Sequence, residues 1–174
     1  MLERPGESEA APHFFTYINQ VAGLALGDDP FGVIESQLED ALALFATISE
    51  EASLRRYAAA KWSIRQVVNH VTDNERAFAF RLLWFARGFE KPLPGYDQDI
   101  AAAGAEADAV PWAAQVEEFR QVRLSTISLY RNMPPAGWTR SGIASDNFVT
   151  TRALGWIIPG HVAHHLAILR ERYL

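Results

Sequence analysis

Apolar residues recur at helical spacing in four long stretches of the chain, and each stretch opens on a recognisable start signal. In FGVIESQLEDALALFATIS, Val33/Ile34, Leu38, Ala41/Leu42 and Phe45 share one face, and Asp29-Pro30 just upstream supplies a cap and a first helical residue. A helix over roughly residues 30–50 is predicted. The second has the strongest start: in KWSIRQVV, Ser63 caps, Gln66 completes a capping box, and Trp62 with Val67 forms a hydrophobic staple. Ile64, Val71, Phe78 and Phe85 then recur every seven residues until Gly88, and KPLPGYDQD reads as a loop. After the alanine-rich loop AAAGAEADAV, Pro111 opens a third helix with the stripe Trp112, Val116, Phe119, Val122/Arg123, Ile127 and Tyr130, ended by Pro134-Pro135. The loop GWTRSGIASDNF leads to Thr150, the cap of a fourth helix to about residue 172. There is no internal repeat and no strand pattern. The expected fold is all-α, a four-helix bundle, with the apolar segment 12–26 laid over it as a short helix. Residues 1–11 read as a mobile tail and 12–174 as one helical domain.

Composition narrows the function. At 49% hydrophobic and 21% charged the chain is ordinary globular protein. A net charge of −5 with scattered basic residues gives no footprint for nucleic acid, which needs clustered Lys and Arg. No cysteine is present, so disulfides, thiolate nucleophiles and thiolate ligands are excluded, and a metal site must use His, Asp or Glu. The start MLERPGESEAAP lacks the basic and apolar regions of a signal peptide, and no apolar run nears the roughly 18 residues of a membrane span. A cytoplasmic protein with no membrane partner is expected.

The candidate chemistry lies in GHVAHHLAIL, residues 160–169, which holds three of the five histidines. At 100° per residue, Leu154, Ile158, His161, His165 and Ile168 fall within about 80° of one another, so His161 and His165 stand on the core stripe and His164 nearer its edge. Pro159 obstructs the carbonyl of Gly155, and the resulting bend either re-aims His161 or curves the helix around the core. His70, one turn into the second helix, can face this pair across the bundle; His13 lies near the chain's start. Three neutral imidazoles hold a divalent transition ion and leave positions open, and nitrogen ligands disfavour Mg and Ca. The alternative is a set of hydrogen-bonded core histidines. Burying unpaired imidazoles has a cost that a metal relieves.

Other constellations are absent. Val162 after His161 rules out H-E-x-x-H, and the residues three before His70, His161 and His165 are Val67, Ile158 and Val162, so the di-iron Glu-x-x-His pattern fails. Phosphate-binding glycine motifs and the nucleophile elbow are missing as well. Glu75 lies on the core stripe between Val71 and Phe78. It is either a partner to a ligand histidine or a catalytic proton acceptor, or else it pairs with an arginine such as Arg81 or Arg152. Asp97 and Asp99 are either rim residues or solvated loop acids. Trp84, Trp112, Trp138 and Trp156 either line a pocket or dimer face or pack in the core.

KWSIRQVVNHVTDNERAFAFRLLWFARG and TRALGWIIPGHVAHHLAILRERYL together resemble the DinB/YfiT-like superfamily of metal-dependent four-helix-bundle enzymes. The likeness is good over the second and last helices, loose over GYDQD, and spans roughly residues 12–174. Its most specific element, one histidine early in the second helix and H-x-x-x-H in the last, matches His70, His161 and His165. The resemblance implies a bundle, often a homodimer, with a three-histidine site for Zn, Ni or a similar ion and a small-molecule substrate. Some relatives transfer low-molecular-weight thiols such as bacillithiol or mycothiol, or use a thiol as cofactor in isomerisation; many others are labelled hydrolases. Here Leu166-Ala167-Ile168 stands where many relatives have a more polar Gly-Gln pair, so that glutamine has no counterpart. The leading expectation is a metal-dependent hydrolase or thiol transferase, any thiol arriving as a ligand. The alternative is a non-catalytic ligand-binding or stress-response module with a vestigial or structural metal site.

Overall fold

A computed structural model describes residues 2–27 and 29–174. In chain order its elements are α1 (Phe15–Ala22), α2 (Pro30–Ala46), α3 (Ile64–Ala86), α4 (Gln98–Gly104), α5 (Trp112–Arg131), the strands β1 (Ser141–Ala144) and β2 (Asn147–Thr150), and α6 (Thr151–Ile168). The four predicted helices are α2, α3, α5 and α6, and their start signals act as expected. Asp29 accepts from the Phe31 N–H at 3.2 Å, and Thr150 Oγ1 from the Ala153 N–H at 3.0 Å. Ser63 and Gln66 each accept the other's backbone N–H at 3.0 Å. These bonds satisfy donors that a helix start leaves free. At the far end of α3, Gly88 takes φ 87° and its N–H returns to the Phe85 carbonyl at 2.9 Å.

Helices α2 and α3 each pack against both α5 and α6, and α1 lies along α6. The approach of α1 is close: a Cβ on Gly160 would sit 2.1 Å from the carbonyl oxygen of Tyr17. Among the described residues, no helix is long and apolar enough to cross a membrane.

The bundle has two apolar clusters. One gathers Ile18, Ile34, Phe78, Leu82, Ile127, Leu154 and Ile158; the other gathers Ala41, Phe45, Val67, Val71, Phe119, Val162 and Leu166. Each large buried side chain stabilises the fold by about 1.5–3 kcal/mol relative to exposure. Between the clusters every bundle helix carries polar groups at the same level: Gln37 on α2, His70, Asn74 and Glu75 on α3, Arg123 and Thr126 on α5, and His161 on α6, all buried. Pro159 sits in this layer. The Gly155 carbonyl, which its ring leaves without a helical partner, accepts from the Tyr130 hydroxyl at 3.0 Å; the carbonyl of Pro159 accepts from Gln37 Nε2 at 2.9 Å.

Two expectations are corrected, and the start of the chain is found packed. The loop GWTRSGIASDNF contains an antiparallel hairpin, Ser141 paired with Thr150 and Ala144 with Asn147. Its turn residues Ser145 and Asp146 both have positive φ, 52° and 60°, as a two-residue hairpin turn demands. The end of the GYDQD loop and the AAAGA segment form α4, because Asp97 accepts from the N–H groups of Asp99 and Ile100. The stretch read as a mobile tail over 1–11, of which residue 1 lies outside the described residues, lies on the bundle. Leu2 and Ala10 are buried, and the Glu9 carboxylate pairs with Arg152 and accepts from Thr150 Oγ1 at 2.9 Å.

Candidate metal centre

The capped start of α3 fixes the rotation of that helix, which turns His70 inward. On α6, His161 and His165 stand one turn apart on the face toward α3. One ring nitrogen from each of the three lies within 4.8 Å of the others, and Nε2 of His70 is 3.2 Å from Nε2 of His161. Two nitrogens each 2.0–2.1 Å from a tetrahedral ion stand about 3.3 Å apart, so this pair already has the spacing of two ligands. The wider spacings are within reach of ring rotation. His164, also on α6, is not in the cluster; it lies beneath Tyr17, ring centroids 5.6 Å apart.

Burial keeps the trio neutral, the protonation state a metal needs. It pushes His70 down to about 4 and His165 to about 3, with neighbouring histidines adding to both shifts. His161, 3% exposed, is held well below its ordinary value by burial and then by His165, His70, His164 and Arg123. Aromatic rings pack around the cluster: Trp62 lies 4.8 Å from His70, and Tyr17 and Phe78 lie 5.1 and 5.7 Å from His161.

The tautomer of His70 depends on Asn74, whose Nδ2 lies 3.1 Å from His70 Nδ1 and donates to the His70 carbonyl at 2.9 Å. With Nδ2 donating to the ring, His70 keeps its proton on Nε2 and gives it to His161, a closed imidazole pair. With the amide turned over, Oδ1 accepts from Nδ1–H, and the Nε2 lone pair is free for an ion. Metal binding through Nε2 requires a proton on Nδ1, and the turned amide that accepts it gives up the Nδ2 bond to the His70 carbonyl and swings away from that oxygen. Replacing Asn74 by leucine is therefore expected to weaken Zn affinity about 10–100-fold, whereas Asn74→Asp, which can only accept, keeps it. Calorimetric titration of the three proteins checks this, and equal affinities would remove Asn74 from the site.

Glu75 is engaged elsewhere. Its Oε2 lies 2.7 Å from Nη2 of Arg123, rather than pairing with Arg81 or Arg152, and both partners are almost fully buried at 2% and 0% exposure. The contact is ionic without a well-aimed hydrogen bond: neither Glu75 oxygen, nor Nε or Nη2 of Arg123, has an aligned partner among the described residues. Burial pushes the Glu75 carboxyl up and Arg123 pulls it back. Nη1 of Arg123 reaches Gln37 Oε1 at 3.4 Å, which links the pair through Gln37 to the Pro159 carbonyl, two residues before His161. No hydrogen bond joins Glu75 to a histidine among the described residues, so its place is within the polar layer below the trio.

Two cavities reach the cluster. One of about 310 Å³ touches His161 and is lined by Tyr17, Asn74, Phe78, Arg81, Tyr96 and Ser145, with His13 and Asn147 also in its wall. The other, of about 270 Å³, touches His165 and is lined by Tyr57, Lys61 and Trp62. Residue patterns alone passed over Tyr17 and Ser145, which α1 and the hairpin bring in, and offered Arg81 only as a partner for Glu75. Asp97 serves as the cap of α4. Trp112 and Trp156 are buried in the core, while Trp84 stacks on Phe89 with centroids 4.2 Å apart.

The fold recurs in a known protein. The structure superposes on that of YfiT from Bacillus subtilis, described as a probable metal-dependent hydrolase with an unusual four-helix bundle topology. The match has a TM-score of 0.64 at 17% identity, covering 95% of this chain and 91% of that one. No curated protein matches in sequence. The model of the DinB superfamily matches residues 34–169, which take in most of α2, all of α3, α5 and α6, and the three histidines. By that match over most of its length, the chain belongs to the DinB superfamily.

Proposed function

We propose that the chain is a metal-dependent hydrolase in which His70, His161 and His165 hold one divalent transition ion, Zn or Ni, at the inner end of the cavity on His161. The observation that carries this reading is the convergence of three neutral imidazoles, two buried and one half-buried, where a cavity reaches His161. An all-nitrogen donor set suits Zn or Ni and leaves coordination open. Bound there, the ion would supply Lewis acidity and ready ionisation of water near neutral pH. The chain's own residues do the rest. Asn74 orients His70, while Phe78 and Trp62 give the imidazoles an apolar flank on either side. Tyr17, whose phenol is pushed up by burial, keeps its proton at neutral pH and can donate it to a substrate oxygen beside His161.

A second reading, transfer of a low-molecular-weight thiol, draws on the cavity at His165, which offers room for a second reactant. With no cysteine in the chain, that thiol would enter as a substrate. Chelation followed by reloading with Zn or Ni, assayed on a panel of small esters and amides, tests the hydrolase reading. Turnover should vanish on chelation, return with the metal and be missing from His165→Ala. Turnover indifferent to chelation sinks the reading, and turnover only in the presence of added thiol moves it to thiol transfer.

A further inference from the structure

The cavity on His161 contains a buried cation with no anion. Arg81 is 8% exposed and projects from α3 three residues beyond Phe78. Its Nη2 donates to Ser145 Oγ at 2.9 Å and, weakly, to the Pro94 carbonyl at 3.4 Å. Nε–H and both hydrogens of Nη1 have no protein partner among the described residues, and no carboxylate lies within 4.0 Å of the guanidinium. Burial lowers the Arg81 pKa from its ordinary value. The unbonded Nε and Nη1 are not among the fully buried atoms, so an anion entering the cavity can reach them, and the face of Phe78 lies 5.8 Å away.

The surroundings favour an anion. The cavity wall includes His13, Tyr17, Asn74, Tyr96, Gln98 and Asn147 but no aspartate or glutamate, in a chain of net charge −5. The ring of Phe78 lies between the two ends, 5.7 Å from His161 and 5.8 Å from the Arg81 guanidinium carbon. Ser145, at the tip of the hairpin with φ 52°, fixes one edge of the guanidinium and leaves the others turned to the cavity.

We propose that Arg81 anchors the carboxylate of a small acid, whose apolar body lies across Phe78 and whose reacting group is thereby placed beside His161. The catalytic half of this statement rests on the metal-dependent reading above; the anion site does not. The volume of about 310 Å³ suits a single compact acid. The guanidinium recognises a planar carboxylate, and Gln98 and Asn147 add donors for it or for a neighbouring oxygen.

Calorimetric titration with phenylacetate and its neutral counterpart phenylacetamide tests this, on metal-stripped and on Zn-loaded protein. Phenylacetate should bind both forms, and phenylacetamide about tenfold more weakly or worse. Arg81→Gln should cost the acid a similar factor while leaving Zn stoichiometry unchanged, and Arg81→Lys should recover part of it. Equal binding of acid and amide overturns the proposal, as does parental affinity for the acid in Arg81→Gln. Failure of both phenylacetate and succinate to bind at millimolar concentration overturns it too. If Arg81→Gln does not fold, the comparison of acid with amide on the unaltered chain decides. Zn bound with no acid binding removes this inference alone, whereas Arg81-dependent acid binding to a chain that takes no metal removes the metal reading and leaves the anion site standing.

Discussion

Zn and Ni are expected to bind His161→Ala weaker than the parent chain by roughly a hundredfold or more, while His164→Ala binds as the parent does. The two residues are three apart on one helix but differ in what they face. His161 stands with His70 and His165 inside a 4.8 Å cluster, whereas His164 is half-buried beneath Tyr17. Removing one of three ligands leaves two, too few to hold an ion against water. A metal present at a hundred times its dissociation constant stabilises the folded state by about 2.7 kcal/mol, or roughly 5–10 °C in Tm for a chain of this size. That rise should appear in the parent and in His164→Ala and be missing from His161→Ala. Equal behaviour of the two variants would mean that the histidines bind as a diffuse cluster, if at all.

The second large effect belongs to stability. Arg123→Leu is expected to cost about 3–5 kcal/mol at neutral pH, because it strands the Glu75 carboxylate in the core with no countercharge. Arg123→Leu combined with Glu75→Gln should recover most of the loss. The pH dependence has a definite sign. Without Arg123 only the Thr126 hydroxyl opposes the burial that already pushes Glu75 up, so the folded carboxyl of the variant titrates above its unfolded value. A raised folded pKa contributes stability below the unfolded value and loses it as pH rises through the folded one. The deficit relative to the parent at the same pH should therefore shrink on acidification. Comparing each variant with the parent also cancels the acid sensitivity both share through the depressed histidines, whose protons bind the unfolded chain first. Urea midpoints of the three proteins at neutral and mildly acid pH check this. A single variant within about 1 kcal/mol of the parent at neutral pH would show that the pair is not a buried charge pair.

The bundle was legible wherever the determining interactions are local. Asp29-Pro30, Ser63 with Gln66, Pro111, Thr150 and Gly88 act through neighbours within four residues, so the starts of the four helices and the stop of α3 could be read directly. The convergence of His70, His161 and His165 was legible for a related reason, since a turn's spacing on a core-facing stripe leaves inward as the main direction. What escaped the sequence depends on distant partners. The first residues dock because Glu9 meets Arg152, more than a hundred positions away. The partner of Glu75 is Arg123 because the two sit at one level of the bundle, a height set by how far α5 slides along α3. The hairpin uses Ser145-Asp146 at positive φ where glycine or asparagine would have announced it, and its strands of four residues are too short to show alternation. That hairpin and α1 supply Ser145 and Tyr17 to the cavity, so its walls were less legible than the trio. One signal was available: all four bundle helices interrupt their apolar stripes with Gln37, Glu75, Arg123 and His161, and four such interruptions at one height mark a polar layer.

The account rests on a metal at the three histidines, and elemental analysis of untagged protein, purified without metal-affinity resin or added metal, tests it most directly. The account predicts about one Zn or Ni ion per chain. Protein that carries no transition metal, and whose Tm does not move when Zn or Ni is added, would contradict it and leave His70 and His161 as a hydrogen-bonded pair in the core.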